Sequence, residues 1–218
     1  MVRTRHAFAA ILLVGLISTA GCLGTLTGDQ PLSQAATSAS VGDDALSATD
    51  YELDDQQSVD INQSVQVAAQ THDLQTTNAL SHYHRTVDLG LLGEHRAAVF
   101  TVFSTPAFEV AGQSFSPVKG YSNRRLAELV GAEYNTISIG EEVDNRTVTV
   151  LGEETTVSKY SGTARFMNTD IDVFVHLTRV RHDGDYVIAI AVHPQGLPGE
   201  QERVDTLLEG VQHPDSSS

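Results

Sequence analysis

The chain has 218 residues, a formal net charge of −15 and a single cysteine. That length suits one domain with a substantial core. The charge leaves no basic face to neutralise phosphates, which excludes nucleic acid as a partner, and the lone thiol, Cys22, excludes an internal disulfide.

The chain opens with Arg3 and Arg5, followed by an uninterrupted apolar run from Ala7 to Ile17. A run of about 11 residues matches the apolar region of a signal peptide and falls short of the ~20 residues a spanning helix needs. Small residues lead to the cysteine, and Thr19-Ala20-Gly21-Cys22 resembles the lipobox of prokaryotic lipoproteins, with Thr19 where leucine is common. The resemblance implies cleavage before Cys22 and a two-chain lipid on its sulfur. A free thiol is a liability in an oxidising compartment, and two acyl chains hold a protein durably where one does so only marginally. Residues 1–21 therefore read as a signal peptide. The expected location is the outer face of the cytoplasmic membrane, anchored through Cys22. Thr4 separates the two arginines, which leaves Sec and twin-arginine export both open.

Residues 22–50 are rich in Ser, Thr, Ala, Gly and Asp and read as a flexible acidic tether. A single domain is expected over 51–212, followed by a polar tail at 213–218. Val59, Ile61, Val65 and Val67 alternate as in a half-buried strand. Tyr83, Val87 and Leu89 mark a second strand. Arg96 to Ser104 is apolar on both faces and reads as a central strand ended by Pro106. Ser122 is placed to cap a short helix with Leu126, Leu129 and Val130 on one stripe, closed by Gly131.

Three turn signals follow, Asp144-Asn145, Gly152-Glu153 and Asp183-Gly184. They predict strands at 136–143, 146–151, 154–166, 171–182 and 185–193. In the last hairpin Tyr186, Ile188, Ile190 and Val192 share a face with Val173, Val175 and Leu177. The opposite face is apolar enough to need a second layer. A closing helix is expected from Glu200 to about Val211, with Val204, Leu207, Leu208 and Val211 as its stripe.

Strands, a helix, a meander and a closing helix predict an α+β fold, an antiparallel meander sheet packed with helices. This order resembles the sandwich shared by photosystem II subunit P, Mog1 and DcrB. Of the 13 basic residues only Lys119 and Lys159 are lysines, and an acidic chain almost without lysine resembles proteins of salt-loving archaea. At molar salt the Debye length is ~3 Å, so dense carboxylates barely repel. The stretches Phe103-Ser104-Thr105-Pro106, Ala111 to Pro117, Val150-Leu151-Gly152 and His182 to Asp185 resemble a haloarchaeal lipoprotein family of unknown function. That resemblance implies no catalytic residue.

Histidines are the main candidates for chemistry. His82 and His84 lie two apart on one strand, a spacing that metal ligands use. In the Asp183-Gly184 register, His176 faces Ala191 and lies diagonal to His193. Two ligands each fall short of the three or four a tight site wants, so no metal and no cofactor is expected. Ser116 and Ser161 lack the context of a nucleophile. The Gly112–Gly120 loop with Lys119 lacks the glycine spacing and helix start of a phosphate cradle, and reads as a packed connection. Asn62-Gln63-Ser64 and Asn145-Arg146-Thr147 are N-glycosylation sequons, Asn145 in an expected turn. The sequence thus points to a non-enzymatic, lipid-anchored envelope module with an unknown protein partner. The alternative is a solute- or metal-binding lipoprotein, and a hydrolase is the weakest reading.

Overall fold

The computed structural model describes residues 32–67, 70–88, 90, 93–110, 113–116, 118–133, 137–166 and 168–214. The lipobox residues Thr19, Ala20, Gly21 and Cys22 lie outside them. The chain divides into two compact units. The smaller includes Asn62–Gln75, where Ser64 Oγ donates to Asp73 Oδ1 at 2.6 Å. The larger is Gln34–Ile61 with Thr76–Ser218.

The elements in order are β1 (Leu32–Ala35), β2 (Ser40–Val41), α1 (Asp43–Thr49), β3 (Glu52–Val67), β4 (Gln70–Asp88), β5 (Glu94–Pro106), β6 (Phe108–Val110) and β7 (Gln113–Phe115). Then come α2 (Asn123–Glu133), β8 (Ile137–Val150), β9 (Glu153–Phe166), β10 (Thr169–His182), β11 (Asp185–Pro194), α3 (Glu200–Glu209) and β12 (Val211–Gln212). An eight-stranded sheet runs β4-β5-β11-β10-β9-β8, with β1 and β3 also pairing with β4. The β8–β11 meander folds back so that β11 lies against β5, antiparallel. Two small ladders, β2–β12 and β6–β7, stand apart from it.

The α+β expectation is overturned. Among the described residues 66% is strand and 16% helix, in three short helices, so the fold is β-rich. Strands longer than the turn signals suggested account for this. Asp144-Asn145 is no turn, because β8 runs through it paired to β9, and register shifts between Ile139, Glu142 and Asp144 absorb the irregularity. The chain reverses instead at Leu151-Gly152 (φ +53° and +80°) and at Asp183-Gly184 (φ +45° and +88°), the left-handed pairs of two-residue hairpins. The second of these was expected, the first one residue later. In β3, Val59 and Ile61 are 39% and 38% exposed, more open than a half-buried strand.

The expected tether to residue 50 is also corrected, since β1, β2 and α1 occupy its second half. Small side chains misled the reading. Ala39, Val41 and Ala45 are buried, and a Cβ on Gly210 would come within 2.3 Å of the Ala45 Cβ. A Ser-, Ala- and Gly-rich segment serves here for close approach rather than for freedom.

Both faces of the sheet are covered. On one, Phe100, Val102, Val157, Val187, Ala189 and Ala191 pack with Val204, Leu207 and Leu208 of α3. On the other, Tyr160, Val173, Val175, Leu177 and Ile188 pack with Leu126 and Ala127 of α2. Ser122 caps α2 as expected, its Oγ accepting the Arg125 N–H at 3.2 Å. The helix runs through Gly131 to Glu133, however, and Leu129 is exposed. α3 is the steadier anchor: replacing fully buried Leu207 by alanine should lower stability by roughly 2–5 kcal/mol. Leu129→Ala should change it by less than about 0.5 kcal/mol. Urea unfolding of both variants measures the difference.

Candidate functional site

Alternation along the strands sorts the histidines onto opposite faces. Tyr83 and Arg85 of β4 point to the α3 face, so His82 and His84 point to the other. His176 pairs with Ala191 and Phe174 with His193, which puts both β-meander histidines under α3. The two pairs therefore cannot share a ligand.

His82 is held locally. Gln57 Nε2 lies 3.2 Å from its Nε2 and Thr101 Oγ1 3.0 Å from its Nδ1. An amide nitrogen only donates, so Nε2 accepts and Nδ1–H donates to Thr101. His84 is buried, with its Nδ1 3.6 Å from Asp54 Oδ1, a carboxylate that Arg96 contacts at 2.8 Å.

His176 and His193 do come together, as the hairpin register predicts. Their Nε2 atoms are 3.0 Å apart, and the rings stack at 20° with centroids 5.1 Å apart. The tautomers follow from the partners. Arg146 Nη1 lies 3.1 Å from His176 Nδ1, and a guanidinium has no lone pair to offer. His176 Nδ1 is therefore the acceptor and its proton sits on Nε2, donating to His193 Nε2. His193 Nδ1–H then donates to Pro194 O at 3.0 Å. The result is a directed chain from Arg146 to a carbonyl, with both rings neutral.

That arrangement resists both protons and metal ions. Burial first, then His193, Arg146 and Lys159, push His176 down to about 2. Burial is also the main cause lowering His193, with Lys159 and Arg85 adding to it and Pro194 and Glu200 opposing. With its Nδ1 occupied and Nε2 protonated, His176 offers no lone pair to a metal ion. The space beside it, among Phe100, Val157, Ala191, Val204 and Leu208, holds no water-sized volume.

The first turns of α3 complete the cluster. Glu200 is 1% exposed, its carboxylate accepting from Tyr51 Oη at 2.8 Å and from Arg85, with Arg203 at 3.8 Å. Arg146 Nε donates to Asp205 Oδ1 at 2.7 Å. Lys159 Nζ donates to Gln201 Oε1 at 2.9 Å and sits 3.9 Å from the Phe174 ring centre. Three strand cations thus grip three polar residues of one helix. Sequence reading placed Glu200 only as the start of the closing helix. Nothing local in the sequence announces that Tyr51 and Arg85 meet it.

The remaining candidates resolve simply. Ser161 Oγ donates to Glu141 O and Ser116 Oγ accepts from the Val118 N–H, so both engage backbone. The loop near Lys119 is a packed connection, with Val118 buried and its carbonyl accepting from Arg179 at 2.7 Å. Asn145 is exposed but lies on β8, not in a turn, and Asn62 is exposed on β3. Sequence reading missed one cluster, His182, Asp185 and His213. His213 was read as the start of a polar tail and is in fact buried. Its spacing of two from buried Val211 was the available signal. An open groove of about 740 Å³ lies among Ser40–Ala45, Thr206, Gly210 and Gln212.

Because both stacked histidines stay neutral in the fold but protonate near 6.5 when unfolded, the unfolded chain binds more protons below that pH. Stability is then fully present above about 6.5 and falls as the pH drops, by roughly 1 kcal/mol for His176 between pH 7 and 5.5, with His193 acting in the same direction. Asp185 works the other way, since burial raises its carboxyl and it favours the fold as acid increases. His193→Gln keeps an acceptor and a donor in place while removing one titration. Urea midpoints taken across this range should decline less steeply for that variant than for the wild type.

A model of a family described as a domain of unknown function, DUF6517, matches residues 38–212, from the strap just before β2 to the end of β12. No curated protein matches the chain. The matched span takes in both faces of the sheet, the buried cluster beneath α3 and all three helices, so the chain belongs to the DUF6517 family.

Proposed function

We propose that this protein is a non-enzymatic, lipid-anchored module on the outer face of the cytoplasmic membrane of a salt-loving archaeon. There it serves as an accessory or interaction partner for another envelope protein. The observation that carries the non-enzymatic part is the closure of the polar cluster upon itself. Arg146, His176, His193 and Lys159 find their partners in one another and in α3 and Pro194, and Glu200 finds its own in Tyr51, Arg85 and Arg203. A catalytic base keeps a lone pair within reach of a substrate proton, and here the paired nitrogens face protein. The cluster reads as the fastening of a helix.

The anchoring part rests on the pattern from Arg3 to Cys22 and on the acidic, lysine-poor composition. A third feature suits a tethered domain. The chain entering from the N-terminal side is fastened as soon as it reaches the sheet, through Thr37 N–H to Asp185 at 2.8 Å, Val41 N–H to Tyr83 Oη at 2.8 Å, and the β2–β12 ladder. A pull from Cys22 would load these contacts together.

Cys22→Ser expressed in the native host tests the anchor. The variant should lose its lipid by mass spectrometry and move from the membrane to the soluble fraction. A serine variant that is processed and retained on membranes as before would sink this reading. Crosslinking in intact cells should join the wild type to a defined envelope protein, and reduced capture with the unanchored variant checks that the anchor brings the two together.

A further inference from the structure

His213 follows β12 and its side chain is fully enclosed. Its Nε2 lies 3.2 Å from Asp185 Oδ2, and the same oxygen accepts the Thr37 N–H at 2.8 Å. With Nε2–H donating to that carboxylate, a neutral His213 presents Nδ1 as a lone pair. That atom faces Nδ1 of His182 at 3.0 Å, the rings meeting edge-on at 83°. The hairpin turn fixes this meeting. His182 ends β10, Asp185 begins β11, and the two are register partners across Asp183-Gly184.

We propose that His182 and His213 form a two-nitrogen site for a divalent transition-metal ion of the zinc or copper type, with Asp185 holding His213 in its ligating tautomer. Two imidazole nitrogens bound to one tetrahedral zinc at about 2.0–2.1 Å lie roughly 3.3 Å apart. The observed separation therefore needs to open by only a few tenths of an ångström. Without an ion, His182 Nδ1–H donates to His213. With one, His182 takes the Nε2–H tautomer and both Nδ1 lone pairs point at the metal. A carboxylate behind a ligating histidine is the usual way such a ring is oriented and made more basic.

Charge favours the same outcome. Asp185 is 5% exposed. The donors holding it are a backbone N–H and an imidazole, neither a fixed cation. A bound dication would supply the compensating charge. His182 is half-buried and Asp183 and Gly184 exposed, so an ion can enter from the turn. Among the described residues no group of three or more His, Cys, Asp and Glu surrounds one point. The protein therefore gives two ligands, one fewer than an open catalytic zinc site has, and water or an incoming donor fills the remaining positions of a weak, exchangeable site. The His176–His193 pair has the same 3.0 Å spacing but fails, since Arg146 occupies a ring nitrogen and Lys159 adds a second cation.

Titrating the full chain with Co²⁺ alone, followed by visible d–d absorption, and with Zn²⁺ by calorimetry tests the site. Wild type and His193→Gln should each take up one saturable equivalent. His182→Gln and His213→Gln should lose it, and Asp185→Asn should bind roughly 10- to 100-fold more weakly. Circular dichroism checks folding, and the half-buried His182 variant keeps the test decisive if His213→Gln does not fold. No saturable uptake by wild type, undiminished uptake by His182→Gln, or loss of uptake in His193→Gln overturns the proposal. The pair is then two imidazoles sharing a hydrogen bond.

Discussion

A carboxylate at the first residue of α3 decides where that helix can lie. Glu200 is 1% exposed, and an uncompensated buried charge costs several kcal/mol. It can sit there only with its partners in place, and they come from distant parts of the chain. Tyr51 follows α1, Arg85 is on β4, and Arg203 is one turn along the helix itself. Burial and then the nearby carboxylate push the Tyr51 phenol above its usual range, so it remains a donor. Once Glu200 is fixed, helical spacing does the rest. Val204, Leu207 and Leu208 fall on the apolar stripe, while Gln201 and Asp205 fall beside it over Lys159 and Arg146. The same contacts seal the two histidines from water.

The ion pairs are not equivalent in salt. Arg165 and Asp170 are 64% and 54% exposed at their side chains, and pairs of that kind contribute little and are screened further as ionic strength rises. Arg85 and Glu200 are 15% and 0% exposed, and Arg146 and Asp205 15% and 30%. Mobile ions reach such pairs poorly. A chain with net charge −15 thus places its fastenings where added salt weakens them least and leaves its acidic excess where salt quiets the repulsion.

What could be read from the sequence was decided by how local the determinant is. The β10–β11 register follows from two residues, Asp183 and Gly184, whose left-handed conformations allow one loop length and so dictate every partner up to Phe174–His193. The stripe of α3 was legible for the same reason. Asp144-Asn145 carried an equal turn signal but lost, because Ile137–Ile139 and Arg146–Val150 each satisfy their backbone on the same neighbour, β9. A bulge costs less than breaking that ladder. Residues 32–49 were misread because their packing depends on a distant glycine, Gly210, which leaves room for Ala45. Long-range complementarity of this sort has no local signature. The same holds for Tyr51, Arg85 and Glu200, three ordinary residues whose meeting is a property of the sheet.

The two histidine pairs show how far spacing alone falls short of defining chemistry. Each brings ring nitrogens to 3.0 Å, the first pair within the β10–β11 hairpin and the second between that hairpin and the residue after β12. What differs is the group holding the far side of one ring. Behind His176 stands a guanidinium, which can only donate, so the ring turns its proton toward its neighbour and closes the pair. Behind His213 stands a carboxylate, which can only accept while ionised, so the ring gives that carboxylate its proton and turns its lone pair toward its neighbour instead. Opposite second partners give opposite polarity at an identical distance. A pattern search that counts histidines ranks the pairs alike, or prefers His82 and His84 for their closeness in sequence. The proton positions, deduced from partners with no freedom of role, separate a pair that fastens a helix from one that can receive a cation.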